Sequence, residues 1–418
     1  MNIPDHKKTV LKNGITLLTE TMEDVRSVAM GIVVGAGSGL EQDPVAGISH
    51  FIEHMAFKGT SKRSAFDIAS ELDAVGGKMN AYTSKELTTY YAVTLDKHID
   101  IAADVLTDIF LNSVYDSKEM ELEKGVIVEE IKMYEDTPDE LIHDFFMETI
   151  FHGHPLGRPT IGHEQSVRSI DRGKMLDYIK ENYTPDNIII SLAGNLKHED
   201  AVKLIEPSFS VMKGKFPVSN RVPPTIKKAV KLKYKKTEQV HMCLGTKGPS
   251  QVDEDRYAFS ILDTVLGGSM SSRLFQEVRE KRGLAYAIYS YNGALKDCGL
   301  YVVYAGTSKE NFRKVVDLTI EEFNKIKKNG ITKEEMERSK EHLKGSLVLG
   351  LESTSSRMSY LAKSQFYFGR IITIDEIFEK VDALAPDDIM AAANKYLKDE
   401  YLTLTAIGDI SEKEMPQV

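Results

Sequence analysis

Five consecutive residues, His50-Phe51-Ile52-Glu53-His54, place two imidazoles and a carboxylate within one helical repeat. On a helix spanning residues 46–57 the two histidines fall one turn apart on the same face, where both can bind one zinc ion. Glu53 falls on the flank of that face, within reach of a water molecule polarised by the metal, and is the candidate general base. The order H-x-x-E-H reverses the commoner H-E-x-x-H. A hydrolytic zinc site takes three protein ligands and keeps one position open. Residues 117–131 read as an amphipathic helix on which Glu123 and Glu130, seven residues apart, share a face. Glu119, Glu121 and Glu129 fit a solvated surface, yet spacing by itself does not choose between Glu129 and Glu130 as the third ligand.

The elements that must position these residues occur twice. Residues 183–195 resemble residues 396–409, and their glycines, Gly194 and Gly408, lie 214 residues apart. Met120 and Met336 are separated by 216, a nearly constant register that signals duplicated domains. In the first half, residues 14–20, 27–36 and 87–95 have strand patterns, and 99–112 and 118–134 have helical periodicity. In the second, helices are expected over 257–266, 272–281, 309–328 and 333–351, and strands over 286–291 and 299–306. Strands mixed with segregated runs of helix predict an α+β fold of two duplicated domains, each a mostly antiparallel sheet packed with a layer of helices. The boundaries expected are 1–211 for the metal-binding domain, 212–224 for a linker rich in Lys, Gly and Pro, and 225–418 for the repeat. Projected through the repeat, the histidine pair lands among residues 262–268, which hold no histidine, and Glu130 lands on Ser346. The second copy is therefore expected to carry no metal.

At 418 residues the chain is long enough for two domains. Its net charge of −10 and lack of a basic, aromatic-interleaved patch argue against nucleic acid. Residues 27–37, the most apolar stretch, are too few and too glycine-interrupted to span a bilayer. Residues 1–20 show neither a secretory apolar core nor an Arg-rich presequence. Cys243 and Cys298, without C-x-x-C spacing, read as reduced core residues, and a cytoplasmic location is expected. His152 and His154, even with His143 and His163, read as loop or structural histidines, not a second metal site. Gly35 to Gly39 lacks the order of a nucleotide-binding loop.

Residues 50–60, HFIEHMAFKGT, resemble the metal helix of the pitrilysin and insulin-degrading zinc peptidases. The likeness is to their mitochondrial-processing-peptidase branch, of the bacterial homodimeric type. Further stretches lie in the family's order, including GGKMNAYT at 76–83 and REKRGLAY at 279–286. The resemblance implies that Glu130, 76 residues after His54, is the third ligand and that Glu123 is the family's second acid, placed to orient the histidines. It implies that Arg279 and Tyr286 contact substrate near the metal from the opposite half-molecule, with Tyr286 a donor to the oxyanion. Asn80 and Ala81 then belong to a substrate-binding edge strand. One Zn2+ per chain, a metalloendopeptidase acting on unfolded or short peptides (presequence-like ones included), half of a clamshell chamber and a homodimer that completes its own active site all follow from this likeness. The competing expectation is a non-catalytic peptide-binding or scaffold subunit of the same fold, against which the complete ligand set and base argue.

Overall fold

The computed structural model describes residues 5–217 and 221–418; residues 218–220 of the expected linker and 1–4 at the N-terminus lie outside the described residues. Six strands form one sheet: β1 (Asp5–Val10), β2 (Thr16–Thr21), β3 (Ser27–Val34), β4 (Lys78–Thr83), β5 (Thr88–Leu95) and β6 (Ile188–Gly194). Their order is β1-β2-β6-β3-β5-β4. A second sheet holds β7 (Ala229–Tyr234), β8 (Val240–Gly248), β9 (Ala285–Ala294), β10 (Gly299–Thr307) and β11 (Thr403–Gly408), ordered β7-β11-β8-β10-β9. From β2 onward the two orders coincide strand for strand. Each sheet has one parallel pair, β2 with β6 and β7 with β11, in an otherwise antiparallel ladder. The duplication read from the sequence is thus a duplication of topology. Central strands such as β3 (SVAMGIVV) and β10 (GLYVVYAGT) are buried along nearly their whole length, so they read as continuous apolar runs without alternation.

Helices α1 (Ile48–Ala56) and α2 (Ala65–Asp73) connect β3 to β4. Between β5 and β6 run α3 (Ile99–Asn112), α4 (Ser117–Asp136), α5 (Pro138–Ile150), α6 (Glu164–Ser169) and α7 (Arg172–Asn182), with α8 (His198–Phe209) after β6. In the repeat, α9 (Arg256–Leu266) follows β8. Then α10 (Lys309–Asn329), α11 (Lys333–Gly350), α12 (Thr354–Phe368), α13 (Ile374–Ala383) and α14 (Pro386–Tyr396) lie between β10 and β11. One expectation is corrected: much of the α-helix expected over 272–281 is a π-helical turn, Phe275–Glu280, in which the Lys281 amide reaches the Gln276 carbonyl five residues back at 2.9 Å.

Packing does not follow the two halves of the sequence. One compact unit comprises Met1–Lys132, Arg158–Arg221 and Gly350–Ile371; the other comprises Met133–Gly157, Val222–Leu349 and Ile372–Val418. Thus α5 packs on the second sheet and α12, its counterpart in chain order, packs on the first. Ile142, Phe146 and Ile150 recur every fourth residue on α5 and bury a stripe against Cys243, Leu300, Val302 and Ile407. On α12, Met358 packs with Ala29 and Ala193, and Ala362 packs with Val33 and Leu87. Gly31 admits this close approach, because a Cβ there would lie 2.3 Å from Met358 Sδ. The expected boundaries at 211 and 225 divide the chain by sequence alone, whereas packing exchanges one helix per half.

Phe146 is fully buried, so truncating it removes the central side chain of the α5 stripe. Phe146→Ala is expected to destabilise the second unit by about 3–5 kcal/mol, measured by urea unfolding followed by circular dichroism.

Candidate metal centre

Helix α1 is short, and its sequence divides its surface sharply. Ile48, Ser49, Phe51, Ile52, Met55 and Ala56 are buried, which leaves His50, Glu53 and His54 half-buried on the opposite side. Its first turn is held by a carboxylate from outside the helix. Glu41, itself buried, accepts the Gly47 and Ser49 amides at 2.7 and 2.9 Å, satisfying donors that a helix N-terminus leaves without partners. Gly47 has φ of 91°, and a Cβ there would sit 2.5 Å from the Ile161 carbonyl, so glycine is required at this turn.

Helix α4 runs past α1 with Met120, Glu123, Lys124, Ile127, Val128 and Ile131 buried. Glu123 sits in that row among apolar residues, and its charge is met from α1 and the residue after its C-cap. One oxygen accepts the His54 Nδ1–H at 2.8 Å and the other pairs with Lys58 Nζ at 2.5 Å. Burial works to raise the Glu123 pKa, but the bonds from His54 and Lys58 outweigh it and hold the carboxyl below its ordinary value. Two turns further along, Glu130 Oε2 lies 3.6 Å from His54 Nε2 and 3.9 Å from His50 Nε2.

These three side chains fit a zinc ion. Zinc bonds of about 2.0–2.2 Å at tetrahedral angles set donor atoms roughly 3.3–3.6 Å apart. Here the two Nε2 atoms are 3.2 Å apart and the carboxylate stands at 3.6 and 3.9 Å from them. Because Glu123 takes the proton-bearing Nδ1 of His54, Nε2 presents a lone pair toward the centre. His50 is held neutral by its burial and by the neighbouring His54, its pKa lowered to about 3, so no proton competes for it at neutral pH. Its Nδ1 is buried and has no hydrogen-bond partner among the described residues. Also among the described residues, His50, His54 and Glu130 are the only group of three metal-binding side chains brought together. Glu129, by contrast, is exposed and pairs with Lys132 at 2.7 Å.

Glu53 stands beside this cluster. Its Oε2 accepts the Thr83 hydroxyl of β4 at 2.6 Å. Burial raises its pKa above the ordinary carboxylate value; the Thr83 bond and His54 oppose that, and the charge of Glu130 adds to it. A carboxylate with raised proton affinity, held in one orientation next to a metal-binding group, is chemically suited to take a proton from water.

Comparison with known proteins agrees with this geometry. Residues 16–164 match the family model for Insulinase (Peptidase family M16), and residues 169–343 match that for the Peptidase M16 inactive domain. A Bacillus subtilis protein named "Uncharacterized zinc protease YmxG" is 42% identical over 395 residues, covering 94% of this chain and 96% of its own length. The chain belongs to peptidase family M16. "Uncharacterized zinc protease SCO5738" of Streptomyces coelicolor is 39% identical over 416 residues, 98% of this chain and 90% of that protein. The crystal structure of a protease from Helicobacter pylori shares the fold, with a TM-score of 0.90 at 23% identity over 97% of this chain and 100% of that one. Within this M16 chain the inactive-domain match covers α9, which follows β8 as α1 follows β3 and carries no histidine.

The remaining candidates, apart from Arg279, lie on sheet edges. Asn80 and Ala81 are on β4, an edge strand whose one partner is β5; Asn80 is exposed, and Ala81 is buried with its amide bonded to Asn80 Oδ1 at 2.8 Å. Arg279 and Tyr286 belong to the other compact unit, on the π-helical turn and on edge strand β9. The Arg279 guanidinium stacks 5.3 Å from the Tyr286 ring centroid, and Tyr286 is 79% exposed. Of the other histidines, His143 shares hydrogen bonds with the Tyr291 and Tyr289 hydroxyls, and His154 donates its Nε2–H to the Val222 carbonyl. Three contributors escaped the sequence reading: Glu41, Lys58 and Thr83. Lys58 and Thr83 lie within the HFIEHMAFKGT and GGKMNAYT stretches, but their contacts with Glu123 and Glu53, like that of Glu41 with the start of α1, carry no periodic signal.

Glu123→Gln keeps the shape but removes the charge that holds His54 Nδ1–H. Zinc affinity is expected to fall about 10–100-fold, read by competition with a chromophoric chelator, with the circular dichroism spectrum unchanged.

Proposed function

We propose that this M16 chain is a zinc-dependent metalloendopeptidase that hydrolyses unfolded or short peptides. The observation that carries the reading is the convergence of the His50, His54 and Glu130 donor atoms, all within 4.8 Å of one another, beside Glu53. Zinc held there would polarise a water molecule and lower its pKa from about 15.7 toward ~7. Glu53 accepts the proton that such water sheds and later delivers it to the leaving amine. Thr83 keeps the Glu53 carboxylate aimed, and Glu123 keeps His54 in the tautomer with Nε2 free. The outer edge of β4, at Asn80 and Ala81, offers main-chain hydrogen bonds to an extended substrate, which favours many sequences in unfolded form. The same reading makes the protein processing-peptidase-like and cytoplasmic, in keeping with two buried free cysteines.

Arg279 and Tyr286 complete the proposal. A Tyr286 hydroxyl directed at the developing oxyanion contributes roughly 3–4 kcal/mol. Its 79% exposure on an edge strand suits a residue that serves another surface. In a homodimer each chain would supply Tyr286 to its partner's metal centre, and closed two-fold pairing is the commonest assembly.

Two measurements test this reading. Wild-type protein is expected to hold one zinc per chain and to cleave a quenched-fluorophore peptide. Glu53→Gln is expected to retain the zinc while kcat falls roughly 10²–10⁴-fold. Zinc-loaded wild type with no cleavage of a peptide library would mean a non-catalytic subunit. For the shared site, Glu53→Gln and Tyr286→Phe proteins are mixed under conditions of subunit exchange, where each mixed dimer has one intact centre. Activity is expected to return on mixing. Continued inactivity with exchange demonstrated would remove Tyr286 from the partner's site.

A further inference from the structure

The strongest concentration of positive charge in this acidic chain lies far along the sequence from the metal-binding residues. Residues 227–236 read KKAVKLKYKK, six lysines in ten around Tyr234, which corrects the expectation that this chain of net charge −10 has no basic patch. They form β7 and its flanks, and β7 is an edge strand that pairs with β11 alone. Lys235 reaches Asp136 at 3.3 Å. Lys227, Lys228, Lys231, Lys233 and Lys236 are exposed, and among the described residues no carboxylate forms an ion pair with them. Along the strand Ala229, Lys231 and Lys233 share one face, and Val230, Leu232 and Tyr234 the other. Val230 and Tyr234 are also exposed, at 36% and 65%. Beside the lysine face lies a groove of about 670 Å³, with Lys227, Lys228 and Lys231 on one wall and Phe145, Ile150 and His152 of the α5 region on the other; Glu148 is its one acidic lining residue.

Edge lysines commonly serve to keep a strand from pairing with a copy of itself. That role explains one or two of them, but here the row runs past both ends of the strand and borders a groove with an apolar wall. Pairing of two β7 edges would set lysine against lysine, so a second copy of this chain is disfavoured there. A nucleic acid or an anionic lipid surface would meet the lysines but leave the outward amides and carbonyls of β7 unmatched. An extended polypeptide with acidic residues at alternate positions meets both, because its side chains recur at the ~6.6 Å repeat that separates Lys231 from Lys233.

We propose that the β7 edge and the groove beside it are a docking site for an extended acidic segment of another protein, added as a strand outside β7. The test uses the full chain with Glu53→Gln, so that the probe stays intact whether or not the chain is a peptidase. The probe is a fluorescent peptide of alternating Glu and Val, about eight residues long, followed by anisotropy. Saturable binding is expected, weakening as salt rises from roughly 0.05 to 0.3 M. Amide exchange should slow across residues 230–234. The triple variant Lys227→Glu, Lys231→Glu, Lys233→Glu should lose about tenfold or more in affinity. The triple Gln variant should lose less, and both should keep the parent's circular dichroism and melting temperature, since these side chains are exposed. Equal affinity in the Glu variant, protection elsewhere than β7, or binding of single-stranded RNA or phosphatidylserine vesicles in place of the peptide would each overturn the proposal.

Discussion

A carboxylate can stand inside a protein only where its charge is answered, and Glu123 is such a group. With 4% exposure it is enclosed in the α4 packing row, and its two oxygens are taken by His54 and Lys58. That pair of contacts locks α4 to α1 in one register. Since an α-helix turns about 100° per residue, a slip of a single position would swing Glu130 away from both histidines. The convergence of His50, His54 and Glu130 thus depends on a buried carboxylate that lies outside that group. The lone pair that His54 offers on Nε2 has the same origin, because Glu123 occupies its Nδ1–H.

Glu41 and Thr83 extend this logic outward. The first holds the start of α1 through two amide bonds; the second ties Glu53 to the edge strand beside it. His54 and Glu53 each have a partner that limits their rotation, and the apolar side of α1 is buried in the domain. The site is preorganised by packing, not by the local conformation of its own five-residue motif.

Two sheets of the same strand order carry very different side chains. In one, the helix after the third strand bears the histidines; in the other, α9 bears none and the sheet edges carry exposed Tyr286 and a row of lysines. Topology is set by burial of the strands and helices, and that demand leaves surface positions free, so one architecture can carry the histidine pair in one copy and an exposed tyrosine and lysines in the other.

Much of this was legible without coordinates. The histidine spacing, the amphipathic α4 and the 214-residue repeat are periodic or local features, and periodicity is what a sequence displays directly. The extents of α3 and β10 were read to within a residue for that reason. Choosing Glu130 over Glu129 needed a family likeness, since spacing by itself does not say which side of α4 faces the histidines, and only the packing of α4 against α1 decides that. The exchange of α5 and α12 between the sheets, the capping of α1 by Glu41 and the pairing of Lys58 with Glu123 were invisible in the sequence. Each joins residues distant along the chain or sharing no pattern, and such contacts are settled when apolar stripes find their complementary surfaces in three dimensions. Residue types and periods by themselves determined the elements and the chemistry available to this protein; tertiary packing alone decided which buried charges meet, because that depends on register and burial that no local stretch encodes.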